Sequence, residues 1–288
     1  MPAIRQTGQP DVRRPSQQRT NRPVHLIDSH CHFDFAPFSQ APAAYLRDAQ
    51  RAGVSDIVIP SVGEKNWQRI QVMCEQQSPE TQPALYYALG MHPFFAAEHT
   101  PATLSRLEQA LAQAGPRCVA VGECGLDFAI ADADRAQQIE WLSAQLSLAN
   151  QFNLPVILHC RKAFPEIVTC LKSCPPIRGG IYHAFSGSLQ QAHQLLDLGI
   201  KIGVGGTITY RRANKTRTTI AQLPLDALLL ETDAPDMPLA GFQGEPNRPD
   251  RVALVCEALA ELRSESAADL SRATSKNACE LFALPSQK

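Results

Sequence analysis

Past residue 24, short runs of β-branched and apolar residues alternate with longer stretches whose apolar positions recur at helical spacing. The runs predict strands at 24–28, 54–60, 84–89, 117–122, 155–159, 180–184, 200–204 and 227–232. Helices are predicted near 42–52, 64–77, 101–114, 134–152, 163–173, 188–198, 214–222 and 249–262, with a last one over about 266–282. Thr100 before Pro101, and Ser188, are start signals for two of them. A strand followed by a helix, repeated in this way, predicts an α/β protein with a parallel sheet, and a (β/α)₈ TIM barrel is the first choice. An open doubly wound sheet is the second, but it calls for Gly-x-Gly-x-x-Gly after the first strand. The chain has Asp28-Ser29-His30-Cys31-His32 there.

Length and composition narrow this to one domain. The chain has 288 residues, 44% of them hydrophobic, which suits a single barrel over 24–284. Residues 1–23 are rich in Arg, Pro and Gln and nearly devoid of apolar side chains, so they are expected to be a disordered extension. No apolar run is long enough to span a bilayer and none follows the start as a signal peptide would, so a membrane is not an expected partner. Nine cysteines without a Cys-x-x-Cys pair argue for a reducing, cytoplasmic location. Cys31, Cys124 and Cys160 sit beside polar strand-end residues and are expected to face the helices as small apolar groups. A net charge of −1 gives no global attraction to nucleic acid. No obligate protein partner is evident.

The strand ends carry the chemistry, because a barrel of this kind builds its site there. His30 and His32, two apart, project together after the first strand. Glu123 follows the fourth strand, His159 and His183 end the fifth and sixth, and Asp233 ends the eighth. Four imidazoles and two carboxylates exceed the needs of one tetrahedral ion, so two divalent ions per chain are expected. The assignment is His30, His32 and Asp233 on one, His159 and His183 on the other, and Glu123 bridging them. Magnesium, manganese or zinc fit this set, as would iron or nickel. Glu123 and Asp233 are then the catalytic carboxylates, and a metal-activated water would hydrolyse phosphoesters, amides or lactones.

Basic rim segments favour phosphoesters: Arg161, the stretch 211–217, and Arg248. His92, after the third strand, is either a substrate contact or a local hydrogen bond. Glu231 and Asp28 share faces with Asp233 and His30, so they are expected to support the ligands, as is Asp34. His25, His99 and His193 are expected to be structural or solvated. Gly203, Gly205 and Gly206 predict a close backbone approach to the site.

In order, Asp28-Ser29-His30-Cys31-His32, Gly90-Met91-His92-Pro93, Gly122-Glu123-Cys124-Gly125-Leu126-Asp127, Leu158-His159-Cys160-Arg161, His183-Ala184-Phe185-Ser186-Gly187 and Glu231-Thr232-Asp233-Ala234-Pro235 resemble the TatD-family metal-dependent hydrolases. The resemblance spans about 24–283, and 201–210 with 233–238 resemble its YjjV-like branch. It implies an amidohydrolase-like TIM barrel, a two-metal site on the six ligands above and, in some members, deoxyribonuclease activity, often 3'-5' exonucleolytic. DNA or another phosphoester is thus the expected transient partner. The alternatives are hydrolysis of a small cyclic amide, lactone or ester, and a non-catalytic metal-dependent binding module.

Overall fold

The computed structural model describes residues 25–78 and 80–285, so the expected extension over 1–23 lies outside the described residues. Eight strands form one sheet in chain order: β1 (Leu26–Asp28), β2 (Val54–Pro60), β3 (Ala84–Leu89), β4 (Cys118–Asp127), β5 (Val156–Arg161), β6 (Gly180–Tyr182), β7 (Ile200–Val204) and β8 (Leu228–Leu230). Every neighbouring pair is parallel. The first and last strands meet through three backbone bonds: Ser29 N–H to Leu230 O at 3.0 Å, Asp233 N–H to His30 O at 2.9 Å, and His32 N–H to Ala234 O at 2.7 Å. These close the sheet, and the fold is a (β/α)₈ TIM barrel.

The helices are α1 (Pro42–Arg51), α2 (Glu64–Glu75), α3 (Pro101–Ala112), α4 (Arg135–Gln151), α5 (Phe164–Ser173), α6 (Leu189–Leu196), α7 (Asn214–Gln222), α8 (Val252–Ala260) and α9 (Ala267–Phe282). Strands covered on both faces are largely apolar, and all seven residues of β2 are buried, Ser55 and Asp56 at its lower end included. One layer of side chains, including Ile57, Ile59, Leu89, Val121 and Leu158, packs between strands and helices. The alternate positions Ile27, Val58, Ala88, Ala120, Ile157, Ile181 and Leu229 form a second cluster with Ala278, Leu281 and Phe282 of α9, which plugs the barrel floor. Among the described residues no helix is long and apolar enough to cross a membrane.

Strand ends depart from expectation in an informative way. β4 continues through Asp127 instead of stopping at 122. Gly125 permits this: its φ is +146°, and a Cβ there would collide with the His159 backbone beside which it pairs. β6 and β8 stop early, at Tyr182 and Leu230. Ala184 and Asp233 leave the ladder in left-handed conformations, with φ of 47° and 56°, at the mouth of the barrel. α8 begins at Val252 because residues Pro249–Arg251 form a tighter 3-10 turn first.

Candidate metal centre

Glu123 lies where the pairing of β4 with β5 slips register between Val121 and Cys124, an irregularity that re-aims a side chain. Its two oxygens face different neighbours. Oε2 is 3.2 Å from His30 Nε2 and 3.5 Å from His32 Nε2. Asp233 Oδ1 joins that side, 3.4 Å from His30 Nε2 and 3.7 Å from His32 Nε2. Oε1 is 2.8 Å from His183 Nε2, 3.0 Å from His159 Nδ1 and 3.1 Å from His92 Nε2. The six residues singled out from the strand ends therefore meet around one carboxylate, and His92 joins them.

Three groups of donors are close enough to hold an ion: His30, His32 and Asp233; His92, Glu123 and His159; and His30, His183 and Glu231. His183 also approaches His159, with Nε2 3.2 Å from Nδ1. His92 differs from the others in its proton. Its Nδ1 accepts the Phe94 N–H at 2.9 Å, so a neutral ring carries its hydrogen on Nε2, aimed at Glu123. It is thus both the local hydrogen bond and the cleft-facing group that the sequence offered as alternatives.

The electrostatics of the cluster suit a cation. Burial acts to raise the Glu123 carboxyl, yet His183, His92 and His30 around it hold it well below the usual range. Burial depresses the His30 ring to about 3, helped by His183. At His32 and His183 burial also acts downward, but Glu123 outweighs it and raises them to about 9 and about 10. The rings compete for protons beside one carboxylate whose Oε2 is buried without a hydrogen-bond partner among the described residues. A divalent cation would satisfy that oxygen and replace those protons, so the donor set fits one.

The supporting shell is ordered from distant parts of the chain. Asp28 does not touch the rings. Its Oδ1 accepts Thr232 N–H at 2.9 Å and His30 N–H at 3.3 Å, and its Oδ2 accepts the Thr232 hydroxyl at 2.6 Å, which fixes the seam carrying His30 and Asp233. Glu231 Oε1 accepts Ala184 N–H at 2.5 Å, next to His183, and burial pushes its carboxyl up to about 7. A Cβ at Gly203 would collide with the Glu231 carboxylate, so the expected close approach to the site holds there; Gly205 has ordinary clearance and Gly206 packs on Met237 O instead. Asp34 is bonded to Asn66 and Arg69 instead of to a ligand.

Sequence reasoning passed over several of these residues. Asp127 Oδ2 is 3.4 Å from His159 Nε2, on the far side of that ring from Glu123. Ser61 accepts the Gly90 N–H at 2.7 Å, and its carbonyl accepts Glu123 N–H at 2.9 Å. Gln145 of α4 accepts Met91 N–H at 2.7 Å and so sets the turn that carries His92. Asn247 donates to Thr232 O at 2.8 Å and holds the segment after β8. Asp127 was the findable one, since it ends the same strand-end motif as Glu123; the others reveal nothing before folding.

The family described as TatD related DNase matches residues 27–283 of this chain. The chain belongs to the TatD family of metal-dependent hydrolases. It is 48% identical over 261 residues to the uncharacterized metal-dependent hydrolase YjjV of Escherichia coli K12, covering 90% of this chain and 98% of that protein. The crystal structure of E. coli YjjV superposes with a TM-score of 0.87 at 49% identity, over 90% of this chain and 98% of the other. A 3'-5' ssDNA/RNA exonuclease TatD from Erwinia tasmaniensis is 34% identical over 268 residues, covering 90% of this chain and all of that one, 100%.

In this TatD-family chain the centre opens into a cleft of about 520 Å³ lined by His32, His92, Glu123, His159, His183 and Asp233. Arg161 lines it too, 64% exposed and 4.0 Å from Asp127 Oδ2. The other basic candidates lie apart. Arg248 bonds Asp48 at 2.9 Å and Asp250 at 2.8 Å and lies over the Tyr45 ring, away from the cleft. Within 211–217, Arg217 donates to Ile208 O and Arg212 stacks on Tyr210. Neither Arg248 nor any residue of 211–217 lines the cleft. Cys31 and Cys124 are buried in the layer under the helices, and Cys160 packs against it. His99 is buried on His92 O at 3.1 Å, while His25 and His193 are exposed.

Proposed function

We propose that this TatD-family hydrolase is a divalent-metal-dependent phosphodiesterase, a 3'-5' exonuclease on single-stranded DNA. The observation that carries the reading is the division of Glu123: one oxygen toward His30 and His32, the other toward His159 and His183. On this reading His30, His32, Asp233 and Glu123 would hold one ion, and His159, His183 and Glu123 would hold the other. Magnesium, manganese or zinc suits the mixed nitrogen and oxygen donors. Bound there, two such ions supply a lowered water pKa and charge stabilisation at the phosphoryl oxygens.

The chain's own residues divide the remaining work. Asp233 is 14% exposed against 1% for Glu123, so it is the carboxylate placed to take a proton from attacking water. His92 directs its Nε2–H to Glu123 Oε1 at 3.1 Å and so orients that carboxylate in the cleft. Arg161, at the rim, pairs with a phosphate. Asp127 holds the His159 ring from behind, and Glu231 and Asp28 steady the segments that carry His183, His30 and Asp233. The Erwinia relative named as an exonuclease on ssDNA and RNA supports this substrate class. A cytoplasmic location belongs to the same reading and rests on nine free cysteines.

The test is hydrolysis of single-stranded oligonucleotides, blocked at either end, by manganese- or magnesium-loaded protein beside Glu123→Ala. Cleavage from the 3' end, lost in the variant, is expected; no cleavage by the wild type rejects the reading. Phe35, Val62, Phe94 and Phe95 give the cleft an apolar wall, which favours a second reading, hydrolysis of a small cyclic amide, lactone or ester. Turnover of dihydropyrimidine or lactone substrates without cleavage of DNA would establish it instead.

A further inference from the structure

Large apolar side chains are well exposed at three described positions: Val72, Ile177 and Phe94. Val72 lies on α2 and Ile177 in the turn before β6, outside the cleft. Phe94 is 61% exposed and lines it. Single exposed apolar residues are common on protein surfaces, but this ring is held in place at the catalytic mouth. The Phe94 backbone N–H donates to His92 Nδ1 at 2.9 Å, and His92 Nε2 is 3.1 Å from Glu123 Oε1. Phe95 meets it edge-on, with centroids 5.2 Å apart at 75°, and itself lies 6.2 Å from the His92 ring. On the other side of Glu123, Phe35 stands edge-on to His32 at 5.7 Å and carries the Arg69 guanidinium 5.5 Å over its face.

We infer that Phe94, backed by Phe95, is a stacking platform for a base next to the phosphodiester being cleaved, with Phe35 taking a base on the opposite side. The inference rests on the nuclease reading and adds to it the side chains that would hold the bases. A base offers a flat π-face to an exposed aromatic ring, and stacking of this kind tolerates any sequence. In a duplex both faces of each base are already stacked, so the platform selects single strands and unpaired ends. Arg161 would hold the phosphate between the two aromatic flanks.

Kinetics on single-stranded oligothymidine, with and without abasic residues at its 3' end, test this in manganese-loaded wild type, Phe94→Ala and Phe94→Trp. The exposed position means that Phe94→Ala should keep the wild-type melting temperature. Its KM on the intact strand should rise about 5- to 150-fold, the range that loss of one stacked base produces. Phe94→Trp should restore the wild-type KM. On the abasic strand, wild type and Phe94→Ala should share the same weak KM. Wild-type cleavage with an unchanged KM in Phe94→Ala, or an equal penalty on both strands, overturns the platform while leaving the nuclease reading intact. Neither cleavage nor binding of either strand by the wild type overturns both.

Discussion

The floor and the mouth of this barrel both gather polar groups, and they treat them in opposite ways. At the floor the Ser271 and Ser275 hydroxyls of α9 donate to His25 O at 2.7 and 2.8 Å. Asn277 donates to Leu225 O and Leu228 O at 2.9 and 2.8 Å, and Ser55 donates to Asp56 at 2.6 Å. Donors there meet acceptors, and the contacts seal the hydrophobic plug. At the mouth, Glu123 Oε2, Glu231 Oε2 and the Nδ1 atoms of His30, His32 and His183 are buried with no hydrogen-bond partner among the described residues. Size does not mark the difference, since the cavity beside α9 holds about 620 Å³ and the catalytic cleft about 520 Å³. Convergence of donors does. Buried polar atoms without partners cost about 1–3 kcal/mol each, and a cation seated among these donors would offset a cost that the floor never incurs.

The contrast breaks most sharply at Glu123. Replacing it with Ala should lower kcat at least about 10³-fold, the equivalent of several kcal/mol of charge stabilisation. In chelator the same variant should melt lower than the wild type, because the buried His32 and His183 rings lose the carboxylate that raises them; an unchanged melting temperature would show that this pairing adds nothing to stability. Glu231→Gln should weaken metal binding or activity about 10- to 100-fold, read by metal titration alongside rates. Arg161→Ala should raise KM about 10-fold, as loss of one charge-assisted bond does, while Arg248→Ala leaves KM alone. Equal effects of the two would erase the distinction drawn at the rim. Asn277→Ala at the floor should cost about 1–3 kcal/mol in urea unfolding and leave kcat/KM as in the wild type.

The strand ends were readable because each metal-capable residue lies within a few positions of the end of a short apolar run, as in Val156-Ile157-Leu158-His159. That juxtaposition carried both the barrel and the membership of the cluster. Other features depend on contacts that no local pattern encodes. The predicted strand stops at 122, whereas the missing side chain at Gly125 is what lets β4 continue against His159. Arg248 looked like a rim cation, but its partner Asp48 is 200 residues away in the chain. Gln145 sits on α4 and bonds Met91 across 54 residues, so its part in placing His92 emerges only from the packing of α4 beneath that turn.

The central claim, that Glu123 joins two ions, is tested most directly by metal content. Protein loaded with manganese and freed of excess should be assayed by elemental analysis beside Glu123→Ala prepared in the same way. The account predicts two ions per chain in the wild type and no more than one in the variant. One ion or fewer in the fully loaded wild type, or two retained without Glu123, would contradict it.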